Sequence, residues 1–328
     1  MHKDKLVTVC ITTFNRKQLL SRAVESVLQQ TYSFFELIIV DDCSIDGTEE
    51  VVNKLSLRDE RIRYIRHESN KGLAAARNTA IFNSKGTYFT FVDDDDRWCN
   101  NYLMECVRVA NDFDDEWCFC CGSITEDLLG QTVYAKYDNL EGPLLDFIQQ
   151  GYTPPVASQF YFTSTLQRYG GYREEVKNGV DHDLWLTLGF QGVKIKSVDQ
   201  YLSLPSEVID ISREKMTNSY NKRINGLLNS LEVWKPEISA HYGEHFYTSF
   251  KKAYIVREKK KFFRIYTLKF KLKQAFEIYS SLEEKVSMKE IVKSVFIATL
   301  LRLSVPIRRK KYVKRGASLK IKTSLVTA

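Results

Sequence analysis

Long apolar runs are missing from this 328-residue chain, and several short signatures that decide a chemistry at a glance are missing too. With only 15 Gly and 6 Pro, no low-complexity stretch and no internal repeat, the composition is that of an ordinary globular protein. The opening M-H-K-D-K-L-V-T-V-C-I-T-T-F carries charge and then about eight apolar-leaning residues before Asn15 and Arg16, too short for a secretory signal or a membrane span. Seven Cys, an odd number, all fall within the first 121 residues. They are expected to be reduced thiols in a cytoplasm. Cys118, Cys120 and Cys121 lack a second pair at zinc spacing and are expected to be small buried hydrophobes.

Three nucleotide and hydrolase signatures are also absent. No G-x-G-x-x-G follows the first apolar run, no G-x-x-x-x-G-K-[ST] occurs, and no G-x-S-x-G occurs. Dinucleotide binding of the usual kind, a P-loop and a nucleophile elbow are therefore set aside.

What is present is an uneven charge and a clear alternation of patterns. Residues 1–205 hold 21 Lys and Arg against 30 Asp and Glu, net −9, while residues 206–328 hold 27 against 11, net +16. The first hundred residues predict strands at Leu6–Thr13, Glu36–Val40, Arg61–Arg66 and Thr87–Val92. Helices are predicted at Arg16–Gln30, Gly47–Leu55 and Leu73–Asn83, the first capped by Asn15. This order implies a largely parallel sheet with helices on both faces, and such sheets bind ligands outside the carboxyl ends of their strands. Thr12–Asn15, Asp41-Asp42 and Asp93–Asp96 all fall at those ends. From 105 to 205 the pattern is mixed, with a helix at Tyr102–Phe113, short strands near Trp117–Cys121 and Thr132–Lys136, and a helix across Asp183–Gly189. After 206 the chain reads helical. Met288–Leu303 is apolar around much of its circumference, and Arg308–Lys311 and Lys314-Arg315 follow it.

The run Y-F-T-F-V-D-D-D-D-R-W at 88–98 drives a buried strand into four aspartates. A solvated acidic loop is the ordinary meaning of such a run. An EF-hand loop needs Gly at its sixth place and Glu at its twelfth, where Trp98 and Met104 stand. If the chain stays extended, Asp93 and Asp95 project to one side, a D-x-D arrangement suited to Mg²⁺ or Mn²⁺ bound with substrate phosphates.

Five blocks together resemble family 2 glycosyltransferases: V-T-V-C-I-T-T-F-N-R (7–16), Q-Q-T-Y-S-F-F-E-L-I-I-V-D-D-C-S-I-D-G-T (29–48), N-K-G-L-A-A-A-R-N-T-A-I (70–81), G-T-Y-F-T-F-V-D-D-D-D (86–96) and V-D-H-D-L-W-L (180–186). The resemblance implies an α/β GT-A fold, Rossmann-like, with a mostly parallel sheet flanked by helices and a basic helical C-terminal region. Residues 1–105 would bind nucleotide sugar, 106–205 the acceptor, and 206–328 would form the basic region. It implies an inverting, metal-dependent transfer from a UDP-sugar to a glycan or lipid-linked saccharide in bacterial surface polysaccharide biosynthesis.

Residue roles carry over in the same way. Thr12, Phe14 and Asn15 would contact the nucleoside, Asp42 would accept hydrogen bonds from the base, and Arg77 would lie near base and diphosphate. Asp93 and Asp94 would lie along ribose and metal, with Asp95 and Asp93 as ligands of Mn²⁺ or Mg²⁺. Asp181 would be the catalytic base, with Asp183 a weaker rival, and Val180 stands where the family commonly has Glu. The alternatives are a nucleotidyltransferase, whose Gly-rich loop T-T-F-N-R-K-Q lacks, and a non-catalytic nucleotide-sugar-binding protein. For the basic tail the preferred reading is peripheral contact with an anionic membrane, on the inner face of the cytoplasmic membrane. A solvated helical surface and nucleic-acid binding are its rivals, the last without a recognised motif.

Overall fold

The computed structural model describes residues 5–126, 132–135, 137, 139–150, 152, 154–176, 179–205, 220–268 and 272–282. The predicted helix Met288–Leu303 and the basic clusters after it lie outside the described residues. The chain divides into two compact units, one containing residues 5–205 and the other residues 220–282.

The first unit opens with β1 (Val7–Thr13), α1 (Lys17–Leu28), β2 (Phe35–Asp41), α2 (Thr48–Ser56), β3 (Ile62–Arg66), α3 (Leu73–Phe82) and β4 (Tyr88–Phe91). β1 pairs in parallel with both β2 and β4, and β2 with β3. Every residue of β2, F-E-L-I-I-V-D, is buried, as a strand covered by helices on both faces must be. α1 turns Leu20, Ala23, Val24 and Val27 onto the sheet at helical spacing. Asn15 does not cap this helix: Arg16 occupies the cap position without a side-chain bond, and Asn15 is in the left-handed region (φ 53°) with its carboxamide turned elsewhere.

The unit continues with β5 (Arg97–Trp98), α4 (Tyr102–Ala110), β6 (Trp117–Glu126), β7 (Thr132–Ala135), β8 (Glu141–Pro143), α5 (Leu144–Gln150), β9 (Gln159–Phe162), α6 (Thr163–Arg168), α7 (Val180–Phe190) and β10 (Lys194–Leu204). Among the described residues one sheet runs β3-β2-β1-β4-β9-β6-β10-β5, with β7 on β6 and β8 on β10. β9 enters antiparallel between β4 and β6, so the parallel half passes into a mixed half at β4. Phe160 and Phe162 of β9 pack on Tyr88 and Phe119 across this junction. Cys10, Cys106, Cys118, Cys120 and Cys121 are buried and all seven Cys are free thiols. Burial pushes the thiols of Cys10 and Cys121 up to about 12.

The second unit consists of α8 (Tyr220–Tyr242), α9 (Glu244–Leu268) and α10 (Leu272–Ser280). Phe263, Ala275, Ile278 and Leu282 form a small core there, flanked by Tyr220 and Tyr279. No helix among the described residues is long and apolar enough to cross a membrane.

Candidate active site

The parallel register sets Thr13 beside Asp41 and carries the end of β4 alongside β1, with the Val92 amide donating to the Cys10 carbonyl at 3.0 Å. Three strand ends therefore meet, and the loops leaving them are tied to one another. The Asn15 amide donates to Ser44 Oγ (2.8 Å), the Ile45 amide donates to Asn15 Oδ1 (2.8 Å), and the Lys17 amide donates to Asp46 Oδ2 (3.1 Å). The first turn of α1 is thus satisfied by an aspartate of the next loop, where a local cap was expected. Thr12 is half-buried at this edge and Phe14 leaves its ring 45% exposed.

Asp42 is buried and heavily engaged. Its Oδ1 accepts from the Lys71 amide (2.8 Å) and pairs with His67 Nδ1 (2.8 Å), and its Oδ2 accepts from the Gly72 amide (2.8 Å). This carboxylate fixes the start of α3 on the end of β2. Asp41, next to it, takes the Ser44 amide and the Tyr64 hydroxyl.

The four aspartates do not continue the strand. The Asp96 amide donates to the Asp93 carbonyl at 2.9 Å, closing a turn, so the extended alternation expected for Asp93 and Asp95 is lost and each side chain has its own direction. Asp94 is buried: its Oδ2 accepts from Thr13 Oγ1 (2.8 Å) and its Oδ1 from Arg16 (2.9 Å). Burial pushes its carboxyl up to about 6 against the pull of Arg16. Asp95 lies 3.8 Å from the same guanidinium and stays partly exposed. Asp93 turns the other way, to Arg77 (2.9 Å).

Arg77 is enclosed, at 1% exposure. One terminal nitrogen donates to Asp93 and the other to Asp181 and to the Tyr172 hydroxyl. Burial works against its charge, and the carboxylates of Asp181 and Asp93 more than offset that and keep it protonated. Asp181 and Asp183 both lie in the first turn of α7. The side chain of Asp181 is 40% exposed, whereas that of Asp183 is 1% exposed and held at both oxygens by Arg173, through Nε (3.0 Å) and a terminal nitrogen.

Two of the participants, Arg16 and Tyr172, carry no signal in a single-sequence reading beyond charge accounting. Four adjacent carboxylates need cations, and Arg16 stands at the neighbouring strand end.

Residues 8–169 match the profile of glycosyl transferase family 2. The UDP-Glc:alpha-D-GlcNAc-diphosphoundecaprenol beta-1,3-glucosyltransferase WfaP of Escherichia coli is 44% identical over 228 residues, which is 64% of this chain and 82% of WfaP. The chain belongs to glycosyl transferase family 2. WfgD of Escherichia coli, a protein with the same activity in its name, is 40% identical over 100 residues, 30% of this chain. The match takes in less than two fifths of the length of several curated relatives, WfgD at 39% among them. Among solved structures, S. aureus TarS 1-349 in complex with UDP-GlcNAc aligns with a TM-score of 0.62 at 18% identity, over 97% of each chain. That likeness concerns the fold, an α/β sheet flanked by helices.

Mg²⁺ and Mn²⁺ bind through one or two carboxylates with substrate phosphates and water completing the shell. Asp93 and Asp95 keep the more exposed carboxylates of the turn but face different arginines, Arg77 and Arg16, and among the described residues no group of three His, Cys, Asp or Glu side chains could hold a metal ion by itself.

Proposed function

We propose that this chain is an inverting glycosyltransferase that moves a sugar from a UDP-sugar to a saccharide carried on a lipid diphosphate, in the assembly of a bacterial surface polysaccharide. The observation that carries the reading is the exposed carboxylate of Asp181, placed opposite the acidic strand end by the arginine that also holds Asp93. The name of WfaP, with UDP-Glc as donor and a diphosphoundecaprenol-linked acceptor, supports the substrate classes.

In this reading Asp181 takes the proton from an acceptor hydroxyl, and the freed oxygen attacks the anomeric carbon on the face opposite the diphosphate. Inversion follows from that direction of attack. Thr12, Phe14 and Asn15 line the nucleoside side, and Asp42 reads the base N–H with the lone pair left on Oδ2. Asp95 and Asp93 would hold a divalent cation, which when bound neutralises the charge of the leaving diphosphate. Arg16, half-exposed beside Asp94 and Asp95, supplies positive charge at the same edge.

The test is UDP release from a panel of UDP-sugars, with and without Mn²⁺, using a lipid-diphosphate GlcNAc acceptor and reading the product anomer by NMR. Turnover with an inverted product supports the proposal. Release no greater than that of Asp181→Asn for every donor would remove it and leave a nucleotide-sugar-binding protein. A lipid-borne acceptor also places the reaction at a membrane surface, where the +16 of residues 206–328 would meet anionic lipid. Co-sedimentation with vesicles containing phosphatidylglycerol, and none with neutral vesicles, is the expected result; equal behaviour with both would remove the membrane contact.

A further inference from the structure

Within that reading, we infer that Arg77 is a positioning residue for the base carboxylate of Asp181, not a contact for the donor nucleotide, and that Asn78 beside it secures the segment on which this depends. The arginine is walled in. Its guanidinium lies 5.2 Å from the centre of the Tyr172 ring and 5.5 Å from that of Phe91, and these two rings meet edge to face at 5.6 Å. A planar fork lodged in the corner of two rings at 81° to each other is restricted in orientation, and its donors leave in defined directions. Asp93 and Asp181, 88 residues apart in the sequence, are therefore held at a set distance and angle by one rigid plane.

Asn78, the next residue of α3, completes the device. Its Nδ2 donates to the Tyr172 carbonyl (2.7 Å) and to Glu174 (3.0 Å), and its Oδ1 accepts from the Tyr172 amide (2.7 Å). Both backbone groups of Tyr172 are thus engaged by a single carboxamide. The approach is close enough that a Cβ on Gly171, itself at φ +68°, would stand 2.5 Å from Asn78 Oδ1. Two adjacent residues on one helix turn therefore fix the ring that covers the arginine and the arginine that aims the base.

A group with this duty controls the chemical step more than donor binding. Arg77→Lys keeps a positive charge in the aromatic slot, but a single ammonium cannot hold both carboxylates. It is expected to lower kcat by about 100-fold, the order of loss that a small misplacement of a reacting group causes, while donor KM and UDP affinity by calorimetry stay within about threefold. Unchanged kcat, or UDP affinity falling in step with kcat, would overturn the inference. Where Arg77 variants do not fold, Tyr172→Phe carries the test: it removes the hydroxyl on the guanidinium and should lower kcat about fivefold at constant UDP affinity, and unchanged kcat counts against the inference. A crystal structure of Arg77→Lys reads the same property without turnover. Asp181 is expected to leave its place, and an undisturbed Asp181 refutes the positioning role even if no donor is ever consumed. Absence of turnover in the wild-type protein, by contrast, bears on the proposed function alone.

Discussion

Two acidic stretches, the turn after β4 and the first turn of α7, sort their aspartates by the same rule. In each, one carboxylate is buried against a more exposed arginine, Asp94 with Arg16 and Asp183 with Arg173. In each, another is left more exposed and shares Arg77, Asp93 on one side and Asp181 on the other. The residue type is the same in all four cases. What differs is where the neighbouring arginine comes from: Arg16 leaves the adjacent strand end and Arg173 lies ten residues upstream of its partner, while Arg77 rises from α3 beneath the crevice. A buried carboxylate on a partly exposed arginine ties segments of the structure together; the two on buried Arg77 stay open to solvent.

Removing the exposed member of the α7 pair should have the largest effect. Asp181→Asn is expected to lower kcat by about a thousandfold, within the usual range for a general base, with melting temperature nearly unchanged. Near-normal turnover would end the distinction between the two aspartates. The buried member should behave in the opposite way. Arg173→Met strands the Asp183 carboxylate and is expected to cost about 3 kcal/mol in denaturant unfolding, with UDP affinity of the folded fraction retained. A fully stable Arg173→Met would mean that Asp183 is not the structural partner.

Gly171→Ala perturbs the cover over the shared arginine. A methyl group in the left-handed region and against Asn78 should cost about 2 kcal/mol, seen as a drop of roughly 4–8 °C in melting temperature. No drop would show that the 171–174 segment is not tightly held.

The last effect appears only on changing pH and concerns Asp94, whose carboxyl rises from 3.8 to about 6 on folding because burial outweighs Arg16. A carboxyl raised in this way stabilises the folded state at low pH, and that contribution is lost as pH climbs from about 4 through 6. Wild-type protein should therefore gain on Asp94→Asn in melting temperature as pH falls from 7 toward 4. A constant difference would mean that Asp94 is ionised throughout and no more hindered than a surface carboxylate.

How much of this was legible in the sequence depended on sheet type. Strands of the parallel half are short stretches rich in apolar and β-branched residues, E-L-I-I-V among them, separated by helices with clear spacing, and their bounds were readable to within a residue or two. β9 has only four residues, and its partners β4 and β6 lie far away in the chain. β10 breaks its own alternation with register shifts at Val198/Tyr201 and Tyr201/Ser203. Neither offers a period to detect, and neither was anticipated. The site divided along the same line. Strand-end aspartates were legible because topology brings strand ends together, whereas the turn at Asp93–Asp96 and the reach of Arg77 to a residue 104 positions away depend on packing. Val180, where the family commonly has Glu, sits buried at the start of α7, while Asp181 beside it is partly exposed.

The bonds from Asn15 to Ser44 and Ile45 and from Lys17 to Asp46 make two loops into one part. An engineer seeking a new donor specificity by exchanging the loop after β1 would disturb the contact of Asp46 with the Lys17 amide and leave the Ile45 amide without the Asn15 acceptor. Segments 13–17 and 43–48 would have to be transplanted together, as a cassette.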